Sequence, residues 1–319
     1  MTITRTNFSF ISLRQAILLI VSLFIAASAS AAVITPTHVV AFGDSLSDNG
    51  NFYAATGSTS PPAPYWNGRF SNGQVWVEQY AAGQGATLDG WAVGGAQTGT
   101  VNNNGAMFDG MTTQIGNYVA SLGGGGVTNA STTLFTVWGG ANDFLGMDPL
   151  VDNPITVLSN AVANIIGGIG TLLANGAQHF LVMGIPDLGL TPKSIADELV
   201  TPGSQASATA ISSAFNATLV SQLALNLSGV DYTFIDTFAI LQDAVANPGT
   251  YGFTNVDQPC FDSTVPSVCG NPDEYIFFDI IHPTARTHQL IAQQVPVPGA
   301  VWLFVSALGL LGWTRRKAA

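Results

Sequence analysis

A serine near the start of the chain lies where a nucleophile could work. Ser45 stands in Phe42-Gly43-Asp44-Ser45-Leu46, directly after the short apolar run Val39-Val40-Ala41-Phe42. The run predicts a buried strand and Gly-Asp-Ser a polar turn, which would hold the hydroxyl at the carboxyl edge of a sheet, where open α/β folds place their chemistry. Because serine attacks a carbonyl only when a base accepts its proton, this position predicts acyl transfer if a base can be found.

His282 is the histidine best placed to be that base. His38 and His179 open predicted strands, at the end of a parallel sheet opposite the chemistry, and His288 falls within the last predicted helix, where we expect it on the surface. His282 precedes a proline, which disfavours helical dihedrals before it and suits the start of a helix. Asp279, three residues earlier, could accept the Nδ1–H of the imidazole and leave Nε2 free as the base.

Two further segments could donate hydrogen bonds to an oxyanion. Gly95, in Gly90-Trp91-Ala92-Val93-Gly94-Gly95-Ala96, offers a backbone N–H that no side chain blocks, and Gly94 is the alternative one position away. Asn142, in Trp138-Gly139-Gly140-Ala141-Asn142-Asp143, offers a side-chain amide. Each segment alone is more typical of a tight turn or a helix cap than of an oxyanion site. Losing one oxyanion donor costs roughly 10²–10³ in rate, so such a pair would matter to catalysis.

Alternating strands and helices must position these residues. Short β-branched runs between longer helical patterns are typical of a parallel sheet with helices on both faces. The predicted strands are 38–42, 87–92, 132–137, 180–184 and 232–235, and the predicted helices are 74–82, 107–122, 154–175, 204–227, 238–247 and 283–293. We therefore predict a flavodoxin-like, three-layer α/β/α sandwich around a mostly parallel five-stranded sheet.

Residues 51–72 form a predicted irregular insertion beside Ser45. The segment is rich in Ser, Thr, Pro and aromatic residues. Four of its aromatic side chains could line a substrate cleft or could merely pack the loop onto the sheet: Tyr53, Tyr65, Trp66 and Phe70.

The two ends of the chain predict export and sorting segments. Residues 1–32 combine Arg5 and Arg14, a twelve-residue apolar stretch and the small-residue site Ala29-Ser30-Ala31, as a secretory signal peptide does. A retained membrane anchor is the alternative. Residues 295–319 combine prolines, an apolar stretch just long enough to cross a membrane and the basic end Arg315-Arg316-Lys317, which would stay on the cytoplasmic side. The folded domain would then be residues 33–294.

Charge and cysteine content restrict the function further. The segment 33–294 keeps three basic residues against all nineteen acidic ones, a formal charge of −16 compared with −11 for the whole chain. Such a surface repels nucleic acid and anionic headgroups. The only two cysteines, Cys260 and Cys269, are expected to form a disulfide in an exported protein. A zinc site is not expected, because no further cysteine or clustered histidine supplies ligands.

Taken in order, these segments resemble the GDSL esterases and lipases of the SGNH hydrolase superfamily. The resemblance implies a nucleophile at Ser45, an acid and base at Asp279 and His282, and oxyanion donors at Ser45 N–H, Gly95 and Asn142, with no metal or organic cofactor. Gly90 stands where relatives often have asparagine, so we expect one local hydrogen bond to be missing. The strings GDSLSDNGN and GIPDLGLTP further resemble secreted phospholipase/acyltransferase-like and thermolabile-haemolysin-like enzymes.

The C-terminal segment resembles the PEP-CTERM sorting signal of bacterial exported proteins. The string VPVPGAVWLF carries Val297 where that signal usually has glutamate. The resemblance implies processing by a membrane sorting enzyme and a location outside the cell or at the bacterial surface. A plain transmembrane anchor is the alternative.

The sequence therefore predicts a secreted serine ester hydrolase of the carboxylesterase or lipase type, acting through an acyl-enzyme on Ser45. Its substrate could be a short- to medium-chain acyl ester or lipid, or an acetyl group on an extracellular polysaccharide. The rival hypothesis is a non-catalytic surface or matrix protein that uses the sandwich for binding. We expect no nucleic-acid partner.

Overall fold

A parallel sheet of five strands forms the centre of the computed structural model, which describes residues 34–148, 150–265 and 267–296. The predicted signal peptide and the sorting segment after Pro296 lie outside the described residues. The strand order is β2-β1-β3-β4-β5, and every neighbouring pair is parallel. The five strands are β1 (His38–Gly43), β2 (Thr87–Gly90), β3 (Thr133–Trp138), β4 (His179–Met183) and β5 (Asp231–Ile235).

Helices connect the strands and cover both faces of the sheet. They are α1 (Asn51–Ala55), α2 (Trp76–Gln84), α3 (Met111–Ser121), α4 (Ala141–Leu145), α5 (Pro154–Ala174), α6 (Pro192–Glu198), α7 (Ser204–Asn226), α8 (Thr237–Ala246), α9 (Pro248–Tyr251) and α10 (Ala285–Gln294). The predicted α/β fold is confirmed, and all six predicted helices are present. The helices that the sequence did not predict are α1, α4, α6 and α9. These span two turns at most, too short for a helical period to be recognised.

Side chains that alternate in direction along each strand form two apolar layers, one on each face of the sheet. Val40 and Phe42 of β1 pack with α3, α5 and α7, whereas Val39 and Ala41 pack on the other face with α2 and α10. Successive side chains of a strand point to opposite faces, so a strand buried on both sides is apolar throughout. Helix α5 is long and apolar enough to cross a membrane, but its buried side chains belong to the first layer. The result is the three-layer sandwich.

Two small sheets lie between β5 and the last helix. Strand β6 (Asn255–Pro259) pairs in parallel with β9 (Tyr275–Phe277), and β7 (Phe261–Asp262) pairs antiparallel with β8 (Ser267–Val268). The segment 278–284 then joins β9 to α10. This arrangement brings Asp279 and His282 toward the carboxyl edge of the main sheet.

His288 is buried, which corrects the prediction that it lies on the helix surface. Its side chain is fully buried on α10, and its neighbours Thr287, Leu290 and Ile291 are buried as well. Among the described residues, neither ring nitrogen has a hydrogen-bond partner. Burial first, and the charge of His282 second, lower the pKa of His288 to about 3, so it is a neutral core residue.

Candidate active site

Ser45 lies in a tight turn at the carboxyl end of β1. Gly43 has φ +150°, and a Cβ there would stand 2.1 Å from Trp138 O, so glycine alone allows the strand to end so close to β3. Asp44 then closes the turn, because its carbonyl oxygen accepts from Ser47 N and Asp48 N at 3.0 Å. The turn presents the Ser45 hydroxyl to the loop that carries His282.

Ser45, His282 and Asp279 are in hydrogen-bond contact in that order. The Oγ of Ser45 lies 2.9 Å from Nε2 of His282, although the two residues are 237 positions apart. Nδ1 of the same ring lies 2.6 Å from Asp279 Oδ2. With Nδ1 as the donor, Nε2 is left to accept the serine proton, which is the arrangement a general base needs.

The loop backbone holds the Asp279 carboxylate in place. Its Oδ1 accepts from Ile281 N at 2.8 Å and from His282 N at 2.7 Å. Burial by itself raises the pKa of Asp279, but the charge of His282 and the hydrogen bonds from His282, Tyr65 and Ile281 outweigh burial and lower it. The group is therefore a carboxylate that can stabilise an imidazolium.

The donors predicted for an oxyanion remain available. Among the described residues, Gly95 N–H and Ser45 N–H donate to no protein acceptor. Gly94, the alternative to Gly95, donates its N–H to Asp48 Oδ2 at 2.8 Å and is therefore occupied. The side-chain amide of Asn142 donates one hydrogen to Ala96 O at 3.1 Å, so its second hydrogen is free for a substrate oxygen.

Asp48 ties the nucleophile turn to the loop that carries Gly94 and Gly95. Its side chain is fully buried and accepts four backbone hydrogen bonds, from Gly50, Asn51, Phe52 and Gly94. Burial raises its pKa while the four N–H groups oppose that change. Sequence reasoning missed this role.

Asp143 makes a second link to the same loop. Its carboxylate accepts from Thr98 N at 3.0 Å and from Thr98 Oγ1 at 2.7 Å. Asp143 directly follows Asn142 on α4, so its hydrogen bonds to Thr98 hold in place the helix that carries the Asn142 side-chain amide. The sequence offered no signal for it, because Thr98 is distant along the chain.

The space beside the Gly90 Cα is occupied by the side chain of Asn49. A Cβ at Gly90 would lie 2.3 Å from Asn49 Oδ1, so a side chain there would collide with the segment after β1. Asn51 Nδ2 donates to Gly90 O at 2.8 Å and to Ala92 O at 2.9 Å. Asn51, from the segment after β1, thus bonds to this loop on both sides of Trp91.

Two aromatic residues of the insertion, Tyr65 and Phe70, pack against the triad. Tyr65 OH donates to Asp279 Oδ2 at 2.5 Å, and the Phe70 ring lies 5.0 Å from the His282 ring, centroid to centroid. The wall of the cavity beside Ser45 includes none of the insertion's five aromatic side chains. Of the two alternatives raised by the sequence, packing therefore describes Tyr65 and Phe70, whereas Trp66 is exposed.

An apolar cavity of about 60 Å³ opens beside Ser45 and His282. It lies between α8 and α10, below the turn that carries the nucleophile. Most of its wall is aliphatic or aromatic: Leu46, Trp138, Leu145, Leu188, Ile240, Leu241, Ala244, Ile276, Phe277, Leu290 and Ile291. Asp44 also borders it, and burial raises the pKa of Asp44 to about 7. The cavity suits an apolar group attached to a carbonyl held at Ser45.

A disulfide braces the segment that leads into Asp279. Cys260 and Cys269 are bonded, with their sulfurs 2.03 Å apart. The hairpin that they close is held to the two residues just before Asp279 by the bonds from Cys260 N to Phe277 O and from Phe261 N to Phe278 O. Within residues 34–148, 150–265 and 267–296, no group of three or more His, Cys, Asp or Glu side chains could hold a metal ion.

The sequence also matches known proteins. Residues 39–295 match the family described as GDSL-like Lipase/Acylhydrolase. The chain is 28% identical to the thermolabile hemolysin of Vibrio parahaemolyticus over 275 residues, covering 81% of this chain and 62% of that protein. It is 27% identical to the phosphatidylcholine-sterol acyltransferase of Aeromonas hydrophila over 235 residues, covering 70% and 65%.

A solved structure also resembles the chain. It is a family two carbohydrate esterase from Clostridium thermocellum, with a TM-score of 0.43 and 18% identity, and the match covers 87% of this chain and 65% of that one. Because the family match extends over most of the sequence, the resemblance noted in the motifs is confirmed. The chain spans just under two thirds of the length of each of the two relatives named above. It belongs to the GDSL-like lipase/acylhydrolase family.

Proposed function

We propose that this protein cleaves carboxylic esters through an acyl-enzyme on Ser45. His282 Nε2 takes the Ser45 proton as Oγ attacks the ester carbonyl, and Asp279 stabilises the imidazolium that forms. The N–H groups of Ser45 and Gly95 and the Asn142 amide donate to the oxyanion. The imidazolium then protonates the leaving alcohol, and a water activated by His282 releases the acid. The observation that carries this proposal is the 2.9 Å contact between Ser45 Oγ and His282 Nε2.

The apolar cavity supports an acyl chain of short to medium length as the group transferred. An acetyl group has a single methyl to bury against the apolar wall, whereas a longer acyl chain has more apolar surface to bury there. Burial of apolar surface contributes about 25 cal/mol per Å², so each added methylene should improve binding until the cavity is full. An O-acetylated polysaccharide is the alternative substrate.

A panel of p-nitrophenyl esters from acetate to laurate, run beside an acetylated glycan, tests both parts of the proposal. We expect kcat/KM to rise from acetate to a medium chain and then to fall. Ser45→Ala should abolish turnover of every ester. An unfolding midpoint equal to that of the wild type would show that this variant is folded. Turnover by Ser45→Ala near the wild-type rate would refute the nucleophile, and a preference for acetylated glycan would refute the acyl-chain assignment.

We also propose that the protein is exported and that its C-terminal segment sorts or anchors it outside the cell. The support comes from the two terminal segments and the disulfide, which forms in oxidising compartments. Ile34 and Val295, next to these segments, lie together beside His179 and Asp231, at the sheet edge opposite Ser45. An anchor attached there would leave the active site uncovered.

A further inference from the structure

Tyr65 approaches the candidate triad from the side opposite the nucleophile. Its hydroxyl lies 2.5 Å from Asp279 Oδ2, the oxygen that also receives Nδ1 of His282. Burial first, and then the negative charge of Asp279, raise the pKa of the Tyr65 hydroxyl, so it stays protonated and donates. Asp279 Oδ2 therefore accepts hydrogen bonds from two donors, Tyr65 OH and His282 Nδ1.

Aromatic packing holds the Tyr65 ring in this position. It makes edge-on contacts with Phe70, Phe261 and Phe278, at centroid distances of 6.1, 5.6 and 5.3 Å. Phe278 directly precedes Asp279, and Phe261 follows Cys260 of the disulfide. The ring position is thus set by the same segments that set the carboxylate.

We propose that Tyr65 is a positioning residue of this esterase, which fixes the Asp279 carboxylate against His282 and limits the negative charge that the imidazole experiences. The inference rests on the proposed function of Ser45, Asp279 and His282. All four acceptor positions of the carboxylate are filled, by Ile281 N, His282 N, His282 Nδ1 and Tyr65 OH. Removal of the hydroxyl leaves Oδ2 with the imidazole as its only partner.

The change Tyr65→Phe isolates this hydroxyl because it keeps the ring and its three aromatic contacts. Without the donor, Oδ2 carries more negative charge and stabilises the imidazolium more strongly. The base then stays protonated to higher pH, so the acid limb of the kcat/KM profile should move up by about half to one pH unit. We also expect kcat to fall about tenfold as the carboxylate loses a restraint. KM should change little because Tyr65 does not line the cavity.

Other ionisable groups face His282, and Tyr65→Phe leaves them as they are in the wild type. Besides Asp279 and Tyr65, these are Asp44 on the nucleophile turn and His288 on α10. Burial raises the pKa of Asp44 to about 7, so it titrates in the range of the assay. His288, with its pKa lowered to about 3, stays neutral there. Tyr65 hydrogen-bonds to neither, so the difference between the two profiles reports the tyrosine alone.

Tyr80→Phe is the matched control. Tyr80 lies on α2 with its hydroxyl buried and, among the described residues, without a hydrogen-bond partner. Its removal should leave the pH profile unchanged. Substitution of 3-fluorotyrosine at position 65 is the second test, because the fluorine strengthens the donor and should move the acid limb to lower pH.

The deciding measurement is the pH dependence of kcat/KM for p-nitrophenyl butyrate in the full-length protein. Opposite shifts for Tyr65→Phe and 3-fluorotyrosine 65 would support the proposal. An unchanged acid limb in Tyr65→Phe would overturn it, whatever happens to kcat, since a merely structural role predicts that result. Ser45→Ala in the same assay separates the two ideas: if turnover survives Ser45→Ala, the proposed function fails, whereas loss of turnover with unshifted profiles rejects only the role of Tyr65.

Discussion

Replacing Asp48 by asparagine should both destabilise the protein and slow catalysis. Each carboxylate oxygen of Asp48 accepts two backbone hydrogen bonds: Oδ1 from Gly50 and Asn51 at 2.7 and 2.6 Å, and Oδ2 from Phe52 and Gly94 at 3.0 and 2.8 Å. An amide has one oxygen, so in either orientation its NH₂ group faces two N–H donors. The side chain is nearly the same size, so the change tests hydrogen bonding and charge.

The structure sets the size of both effects. Two backbone N–H groups lose their acceptor at a buried side chain, and each costs about 1–3 kcal/mol, which gives a loss of about 2–6 kcal/mol in the free energy of unfolding. If the NH₂ group faces Phe52 and Gly94, the peptide before Gly95 is released. Because Gly95 N–H is a proposed oxyanion donor, kcat should then fall by up to about 10²–10³-fold.

Urea unfolding and the kcat for p-nitrophenyl butyrate measure these two effects in the same protein sample. Asp236→Asn is the matched control, because Asp236 is an exposed helix cap that accepts from Ala239 N at 3.0 Å and asparagine caps a helix about as well. A loss of stability equal to that of the control would refute the count of four hydrogen bonds on Asp48. Full stability loss with wild-type kcat would show instead that Asp48 does not position the Gly95 loop.

Two further predictions concern Asp44 and the chain ends. Burial raises the pKa of Asp44 from 3.8 to about 7, so between these values the folded protein keeps a proton that the unfolded chain has released. The free energy of unfolding should therefore lose up to about 4 kcal/mol as pH rises from about 4 to about 7, and Asp44→Asn should remove that loss. The pKa of His288 is lowered to about 3, so His288 makes the free energy of unfolding rise with pH by the same amount in the wild type and in Asp44→Asn. The difference between these two proteins therefore reports Asp44 alone. An equal pH dependence of urea unfolding in the two proteins would contradict the reasoning. The second prediction is that the mass of the mature protein corresponds to a chain beginning near Val33, and a mass that includes residues 1–32 would reject signal-peptide cleavage.

The parts of the site that could be predicted from the sequence are those encoded by neighbouring residues. Ser45 follows an apolar strand directly, and Asp279 lies three residues before His282, so each motif carries its own chemistry. The carboxyl ends of β1, β2 and β3 share one edge of the main sheet, which predicts that the segments carrying Ser45, Gly95 and Asn142 meet there. The Asp279–His282 loop instead follows β9 of a separate small sheet, so only its motif, and not its position, could be predicted.

The parts that could not be predicted depend on distant contacts. Asp48 reaches Gly94, 46 residues away, and Tyr65 reaches Asp279, 214 residues away. Neither pairing leaves a local pattern in one sequence. The burial of His288 was missed for a related reason, because α10 is covered on more than one side by segments whose positions the helical period does not reveal.

Covalent labelling with a fluorophosphonate tests most directly whether His282 activates Ser45. Wild-type protein should gain one phosphonyl group on the peptide that contains Ser45, and His282→Ala should react at least about 10³-fold more slowly, because serine without its base is a poor nucleophile. Labelling of another residue, or equal labelling rates in the wild type and His282→Ala, would contradict the account.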